Sequence, residues 1–342
     1  MTLKAPDFWS QPPGLAAWAL APLGWLYDGA GRLRRWRTMP LDPGPPVICV
    51  GNLVAGGAGK TPVALAVAGW LRERAVAVHL LSRGYGGCLT GPVRVALGDH
   101  EAVQVGDEPL LLAAAGPTWV ARDRAAGAMA ARAAGAKALV LDDGFQNPAL
   151  RYRLALLVVD GTAGFGNGRV IPAGPLREPV WRGLRRASAL VILGQDRAGI
   201  AAEVAGWTAS TGLSLPMLQA ALVPDPAVVE RLRGRRLLAF AGIGRPDKFF
   251  ETCRALGGVL VETLAFPDHH PYRSDEIAAL LDRARAHGAE PVTTAKDAAR
   301  LPAAMRAQIQ VVPVTVAWQE PDRFAALLEA VFPSSEALEA HV

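Results

Sequence analysis

Val47-Ile48-Cys49-Val50-Gly51-Asn52-Leu53-Val54-Ala55-Gly56-Gly57-Ala58-Gly59-Lys60-Thr61-Pro62 is a short β-branched run, a glycine-rich turn, and then Gly-Lys-Thr at the head of an apolar-periodic stretch. That order predicts a strand, a phosphate-binding loop and a helix. Glycines let main-chain N–H groups close round phosphate oxygens, and the positive end of the helix dipole points the same way. In such a loop Val54, Ala55, Gly56, Gly57, Ala58 and Gly59 line the phosphates, Lys60 reaches the terminal ones, and the Thr61 hydroxyl ligates Mg²⁺. The spacing departs from the usual loop at one place. A glycine ordinarily stands with four residues between it and the Gly-Lys pair. Here that position is Val54, and the glycines cluster at Gly56 and Gly57.

Working outward, the pattern predicts a helix over 63–72 and a strand over 76–81 that ends in Ser82-Arg83-Gly84-Tyr85-Gly86-Gly87. A weaker strand over 93–97 precedes Gly106-Asp107-Glu108-Pro109, and a short helix follows from Leu110. A strand over 118–121, a helix over 124–134 and a buried strand over 138–141 lead into Asp142-Asp143-Gly144-Phe145-Gln146. Apolar strands over 154–159 and 190–193 follow. Strands alternating with helices imply an α/β fold with a parallel sheet covered on both faces, its ligands at the carboxyl ends of the strands. Asp142 and Asp143 have the form of the second nucleotide-site motif, in which a carboxylate holds Mg²⁺ opposite Thr61.

A second, smaller α/β unit starts near Pro224. Its strands are expected over 237–241, 259–264, 292–294 and 311–316, and its helices over 248–256, from a Ser274 cap through His287, and from Pro321. The strand over 259–264 runs into Phe266-Pro267-Asp268-His269-His270, and that over 292–294 precedes Lys296-Asp297. The organisation is therefore a segment over 1–40, a phosphate-loop domain over 41–223, and a domain over 224–342 that closes over the site. No internal repeat or low-complexity linker separates the units, so they are expected to pack together.

The 342-residue chain is 51% apolar and 20% charged, which excludes a disordered protein. Its net charge of +5 rests almost wholly on arginine, with lysine only at Lys4, Lys60, Lys137, Lys248 and Lys296. No basic patch interleaved with stacking aromatics lies outside the N-terminus, so nucleic acid is not expected as a partner, and no obligate protein partner is evident. Cys49, Cys88 and Cys253 lack metal or disulfide spacing, which points to a reducing compartment. Residues 1–40 hold four of the nine tryptophans, Trp9, Trp18, Trp25 and Trp36. The apolar run there is too short to span a bilayer, contains Pro22, and is followed by Arg32, Arg34, Arg35 and Arg37. Basic residues after the apolar run argue against a secretory signal. Trp with Arg suits a helix lying in the headgroup region of an anionic membrane, and the competing reading is a helix packed on the protein's own core.

These blocks together resemble the tetraacyldisaccharide 4′-kinase family, the lipid A 4′-kinases of Gram-negative bacteria. The resemblance rests on Val50-Gly51-Asn52-Leu53 with Gly56 to Pro62, Ser82-Arg83-Gly84-Tyr85, Gly106 to Pro109, Leu141 to Gln146, Pro172-Ala173-Gly174-Pro175-Leu176-Arg177-Glu178-Pro179, and Phe266-Pro267-Asp268-His269. The displaced loop glycine is a feature of that family. The resemblance implies ATP- and Mg²⁺-dependent phosphorylation of the 4′-hydroxyl of a lipid-linked glucosamine disaccharide at the cytoplasmic face of the inner membrane. It further implies Asp107 as catalytic base paired with His269, with Lys60 at the phosphates. Thr61, Asp142, Asp143 and Glu108 are then the metal-site candidates, and Tyr85, Arg122, Arg124 and Arg177 the candidates for substrate or phosphate contacts. The chain departs from the family after Gln146, where Asn147 replaces a usual His and Tyr152-Arg153 a usual Arg-Asp. Two other readings compete: a phosphate-loop kinase or ligase of a soluble small molecule, and a membrane-bound nucleotide switch. A switch has no need of a base beside the γ-phosphate, so Asp107 discriminates against it.

Overall fold

The computed structural model describes residues 5–333, so 1–4 of the N-terminal segment and 334–342 of the expected second unit lie outside it. Its strands are β1 (Val47–Gly51), β2 (Val78–Ser82), β3 (Val93–Arg94), β4 (Thr118–Val120), β5 (Ala138–Asp142), β6 (Leu154–Asp160), β7 (Ala189–Leu193), β8 (Met217–Pro224), β9 (Arg236–Ala241), β10 (Val259–Ala265), β11 (Glu290–Thr294), β12 (Gln310–Val312) and β13 (Val314–Trp318). They form a nine-stranded sheet in the order β13-β8-β7-β6-β1-β5-β2-β4-β3 and a four-stranded sheet in the order β10-β9-β11-β12. The small sheet is parallel throughout. The large one is parallel except for its two edge pairs, β13 with β8 and β3 with β4.

β1 sits between β5 and β6, with Val50 level with Asp142 on one side and Leu156 on the other. Every residue of β1, β2, β5 and β7 is buried, as expected of parallel strands covered on both faces. One face carries the helix Lys60–Glu73, whose Val63, Ala64, Val67, Ala68 and Leu71 pack on Ile48, Val140, Leu156 and Val191. The other face packs Leu53, Phe145, Leu157, Leu176 and Ile192.

The end of the chain divides differently from the 224–342 unit that the sequence suggests. The expected strand over 311–316 is two strands broken at Pro313. Gln310–Val312 closes the small sheet, and Val314–Trp318 crosses back to pair with β8. Pro313 has no N–H to give either ladder. The final helix, Pro321–Glu329, then buries Phe324 and Leu328 in the core of the large sheet. Three local expectations also shift. The helix expected from Leu110 begins at Asp107. The strand at 93–97 is only Val93–Arg94. Ser274 is the first residue of its helix, and the cap is Arg273, whose N–H is taken by Glu276 Oε2 at 3.0 Å.

The N-terminal helix, Leu15–Arg37, runs through Pro22 and buries only Ala17, Ala21 and Gly24. A Cβ on Gly24 would stand 2.9 Å from the Val170 carbonyl oxygen, so the helix lies close against the 163–173 loop. Asp28 pairs with Arg182, and Trp9 Nε1 donates to the Pro172 carbonyl at 3.1 Å. Trp18, Leu23, Trp25, Leu26, Leu33 and Trp36 face outward. No helix among the described residues is long and apolar enough to cross a membrane.

Candidate active site

The turn after β1 is shaped by its own side chains. Asn52, fully buried, donates from Nδ2 to the Val54 carbonyl at 2.7 Å and to that of Gly56 at 3.3 Å. Gly59 has φ of +80° and caps the helix that begins at Lys60. A Cβ there would meet Leu193 Cδ2 at 2.2 Å, so both conformation and space demand glycine. Of the residues expected to line the phosphates, Val54 bridges to Leu176 and the Ala55 N–H donates to the Pro175 carbonyl at 2.8 Å. Their backbones are therefore occupied within the protein, which leaves Gly56, Gly57, Ala58 and Gly59 facing the helix mouth with Lys60 and Thr61.

The register between β1 and β5 delivers the acidic pair to this turn. The Thr61 hydroxyl donates to Asp142 Oδ2 at 2.7 Å. Asp142 Oδ1 is buried with no hydrogen-bond partner. Burial, and then the charge of Glu108, raise the Asp142 carboxyl above the ordinary range. A buried carboxylate with an unsatisfied oxygen, a hydroxyl beside it and a second carboxylate in Coulombic reach is a hard oxygen donor set that fits Mg²⁺. Among the described residues no three His, Cys, Asp or Glu close into a full cage. That suits an ion that keeps waters and substrate phosphates among its ligands.

Asp143 is turned the other way, with φ of +57°. Its Oδ1 lies 2.7 Å from Arg177 Nη1 and 3.8 Å from Lys60 Nζ. Burial opposes its ionisation, but Lys60 and Arg177 outweigh burial and hold it below the usual carboxylate value. Arg177 is thereby joined through Asp143 to Lys60 at the head of the loop helix. Gln146 links it to a further group: Arg177 Nη1 donates to Gln146 Oε1 at 3.2 Å, and Gln146 Nε2 to the buried Glu178 at 3.3 Å. Glu178 in turn holds Arg186 at 2.6 Å and, from the N-terminal helix, Arg35 at 3.6 Å.

Asp107 opens its helix beneath a loop of the small-sheet unit. Only 4% exposed, its Oδ2 lies 2.9 Å from His269 Nδ1, 3.5 Å from Arg300 Nε and 4.0 Å from Lys296 Nζ. Burial pushes the Asp107 carboxyl up, yet the His269 hydrogen bond and the charges of Lys296 and Arg300 carry it below its ordinary value. Glu108 pairs with Lys296 at 3.2 Å. The Tyr85 ring, largely exposed, stands 5.9 Å from that of His269.

The remaining candidates separate. Arg124 is buried, donates to the Ala121 carbonyl and helps hold Asp143 charged, and burial lowers its own pKa to about 10. Arg122 is exposed, and among the described residues its side chain makes no hydrogen bond or ion pair with the site. At the point of departure after Gln146, Asn147 Oδ1 accepts from the Ala149 N–H at 2.8 Å, and the Tyr152 hydroxyl lies between the carbonyls of Asn147 and Gly144, 2.6 and 2.7 Å away, its one proton available to either. Both residues build the turn that carries the acidic pair. Lys296 and Arg300 were not anticipated. The only sequence signal near them is Thr294 before Lys296-Asp297, which caps a one-turn helix and says nothing of contacts with Asp107 and Glu108.

The model of the tetraacyldisaccharide-1-P 4′-kinase family matches residues 16–333. A tetraacyldisaccharide 4′-kinase of Rhodospirillum centenum is 57% identical over 330 residues, which cover 95% of this chain and 96% of that one. One of Dinoroseobacter shibae is 52% identical, covering 97% of this chain and 99% of that one. Among solved structures, LpxK from Aquifex aeolicus in complex with ATP superposes with a TM-score of 0.70 at 24% identity, covering 93% of this chain and 100% of that one, a likeness of fold. With its phosphate loop, acidic pair and two-unit architecture, the chain belongs to the tetraacyldisaccharide-1-P 4′-kinase family.

Proposed function

We propose that the protein transfers the γ-phosphoryl group of ATP to the 4′-hydroxyl of a tetraacyl glucosamine disaccharide 1-phosphate, forming lipid IVA in lipid A biosynthesis. The observation that carries this reading is the 2.9 Å contact of Asp107 with His269, next to Glu108, whose charge is felt at Asp142 under the phosphate loop. A nucleotide switch has no use for such a pair.

In this mechanism the free N–H groups from Gly56 to Gly59 and the Lys60 ammonium grip the β- and γ-phosphates. Thr61 and Asp142, with Glu108 and Asp143 beside them, are the residues that would hold Mg²⁺, which when bound neutralises phosphate charge. The sugar hydroxyl approaches from the side of Asp107. The cations round that carboxylate keep it ionised, the form able to accept a proton, and leave it only weakly basic. Weak basicity suffices because the transition state of phosphoryl transfer is loose, so the hydroxyl loses its proton late. The proton passes to Asp107 as the P–O bond forms, and His269 stabilises the carboxylate's geometry throughout. His269 belongs to the other unit, so the pair is complete only when the units meet, which restrains hydrolysis of ATP by water.

The acceptor lies in a membrane, and the N-terminal helix is suited to meet it there. Trp25 and Trp36 project into solvent on a helix whose last turn carries Arg34, Arg35 and Arg37. We place the protein at the cytoplasmic face of the inner membrane, with this helix in the anionic headgroup region. The test is direct. Purified protein with Mg·ATP and the acylated disaccharide 1-phosphate in mixed micelles is expected to give the 4′-phosphorylated lipid. ATP turnover without a phosphorylated lipid, or transfer only to soluble acceptors, would overturn the reading.

A further inference from the structure

His269 has φ of +59°, in the left-handed region that a histidine rarely adopts. Such a conformation persists only where the surroundings over-determine it. The surroundings here converge on one side chain. Arg300, 5% exposed, donates from Nη1 to the His270 carbonyl at 3.3 Å and from Nη2 to the Gly242 carbonyl at 2.9 Å. The Gly242 carbonyl also accepts the His269 N–H at 3.1 Å. One guanidinium thus pins the residue after His269 and the residue to which His269 itself is bonded. Its Nε donates to the Lys296 carbonyl at 3.4 Å and lies 3.5 Å from Asp107 Oδ2, an ion-pair contact on the oxygen that receives the imidazole.

Arg300 is itself held. Asp297 is fully buried, and its Oδ1 accepts from Arg300 Nη2 at 2.8 Å, from the Gly242 N–H at 2.8 Å and from the Tyr272 hydroxyl at 2.8 Å. The Thr294 hydroxyl donates to Oδ2 at 2.6 Å. A Cβ at Gly242 would lie 3.0 Å from the Pro267 carbonyl oxygen and 3.0 Å from the Tyr272 hydroxyl, so a side chain there would push apart the loops that meet over Asp297. A buried ion pair with every oxygen committed is costly to assemble and strongly orienting once assembled. Its fork of donors, shared among the carbonyls of Gly242, His270 and Lys296 and the Asp297 carboxylate, with Asp107 in ion-pair range, cannot be reproduced by lysine.

We infer that Arg300 is a positioning residue: aligned by Asp297, it fixes the backbone on both sides of His269 and sets the imidazole against Asp107. This rests on the kinase reading above. Beyond the charge it lends to Asp107, Arg300 acts on the reaction through His269, so most of its effect is lost where His269 is absent.

The test is a double-mutant cycle in the full-length protein with ATP and the acylated disaccharide. R300M is expected to lower kcat at least ten-fold while changing KM for ATP less than two-fold. In the H269A background the same substitution is expected to cost less than three-fold. Unchanged kcat in R300M, or equal fold-losses in the two backgrounds, overturns the proposal. If R300M does not fold, R300K serves in the same cycle, with at least a five-fold loss expected alone and less than two-fold with H269A. Nitrogen-15 spectra of histidine-labelled protein read the contact without turnover, the His269 ring being assigned by its loss in H269A. Displaced His269 ring signals in R300K are expected. Unmoved signals overturn the positioning role, whereas a wild-type protein that phosphorylates no disaccharide overturns the kinase reading and leaves the spectra to decide Arg300.

Discussion

His269 Nδ1 lies 2.9 Å from Asp107 Oδ2 although 162 positions separate the two residues. They meet because a loop of the small-sheet unit reaches the first turn of the helix that Asp107 opens. If they act as one unit, Asp107→Ala and His269→Ala should each lower kcat strongly, and the double variant should be little worse than the worse single one. Rate assays on the four proteins decide this, and multiplicative losses would separate the two roles.

Lys60 is nearly buried at the first turn of its helix, with Asp143 as counter-charge. Lys60→Ala is expected to reduce kcat by roughly 10²–10³, about 3–4 kcal/mol of transition-state stabilisation, with circular dichroism unchanged. A fully active, well-folded Lys60→Ala protein would remove the nucleotide from this loop.

Asp160, at the end of β6, accepts ion pairs from Lys248 and Arg245 of the small-sheet unit. Burial opposes ionisation, but the Lys248 hydrogen bond and the Arg245 charge bring its pKa down to about 2. A folded-state pKa below the unfolded one, about 3.9, gives stability that is fully present above about pH 4 and is lost as pH falls through about 2. Asp160→Asn should therefore melt earlier than wild type at pH 7, with the gap closing toward pH 2. Both basic partners are 40% or more exposed, so screening keeps the effect near 1 kcal/mol. A gap that persists at pH 2 would refute the assignment.

Trp25 and Trp36 are 70% and 82% exposed. Replacing both with Ala should weaken sedimentation with anionic vesicles about ten-fold or more, from the apolar area they would bury, and leave the melting temperature unchanged. High salt should release part of the wild-type protein by screening the arginines. Equal vesicle binding by wild type and the double variant would mean that the lipid is met elsewhere.

The phosphate loop, the acidic pair and the alternation of the large sheet were legible because each is written in adjacent residues: a strand, then the chemistry at its end. The N-terminal helix was legible as a helix, and its sequence leaves open whether its tryptophans face out or pack on the core. Its small residues, Ala17, Ala21 and Gly24, face the protein and its tryptophans face out, the reverse of an ordinary surface helix. The return of β13 is hidden because 311–316 is β-branched at every position but Pro313, and Pro313 is the one sign of a break. Lys296 and Arg300 were beyond reach. Lys296 meets Glu108 across 188 positions, and no local pattern records such a contact.

The crossing at Pro313 bears on how the protein is made. The small-sheet unit leaves the large sheet from β8 and re-enters it through β13, and the Asp225 N–H donates to the Pro313 carbonyl at 3.2 Å, so departure and return are side by side. The domain that holds the phosphate loop is thus completed by residues made after the whole small-sheet unit. Phe324 and Leu328 fill its core only after the whole intervening unit has been synthesised. A nascent chain halted before residue 314 carries the phosphate loop and the acidic pair but lacks the edge strand and helix that complete their sheet. Full nucleotide affinity should accordingly arise only once residues 314–329 have been made, with the ATP-binding core and its partner unit maturing in a single event.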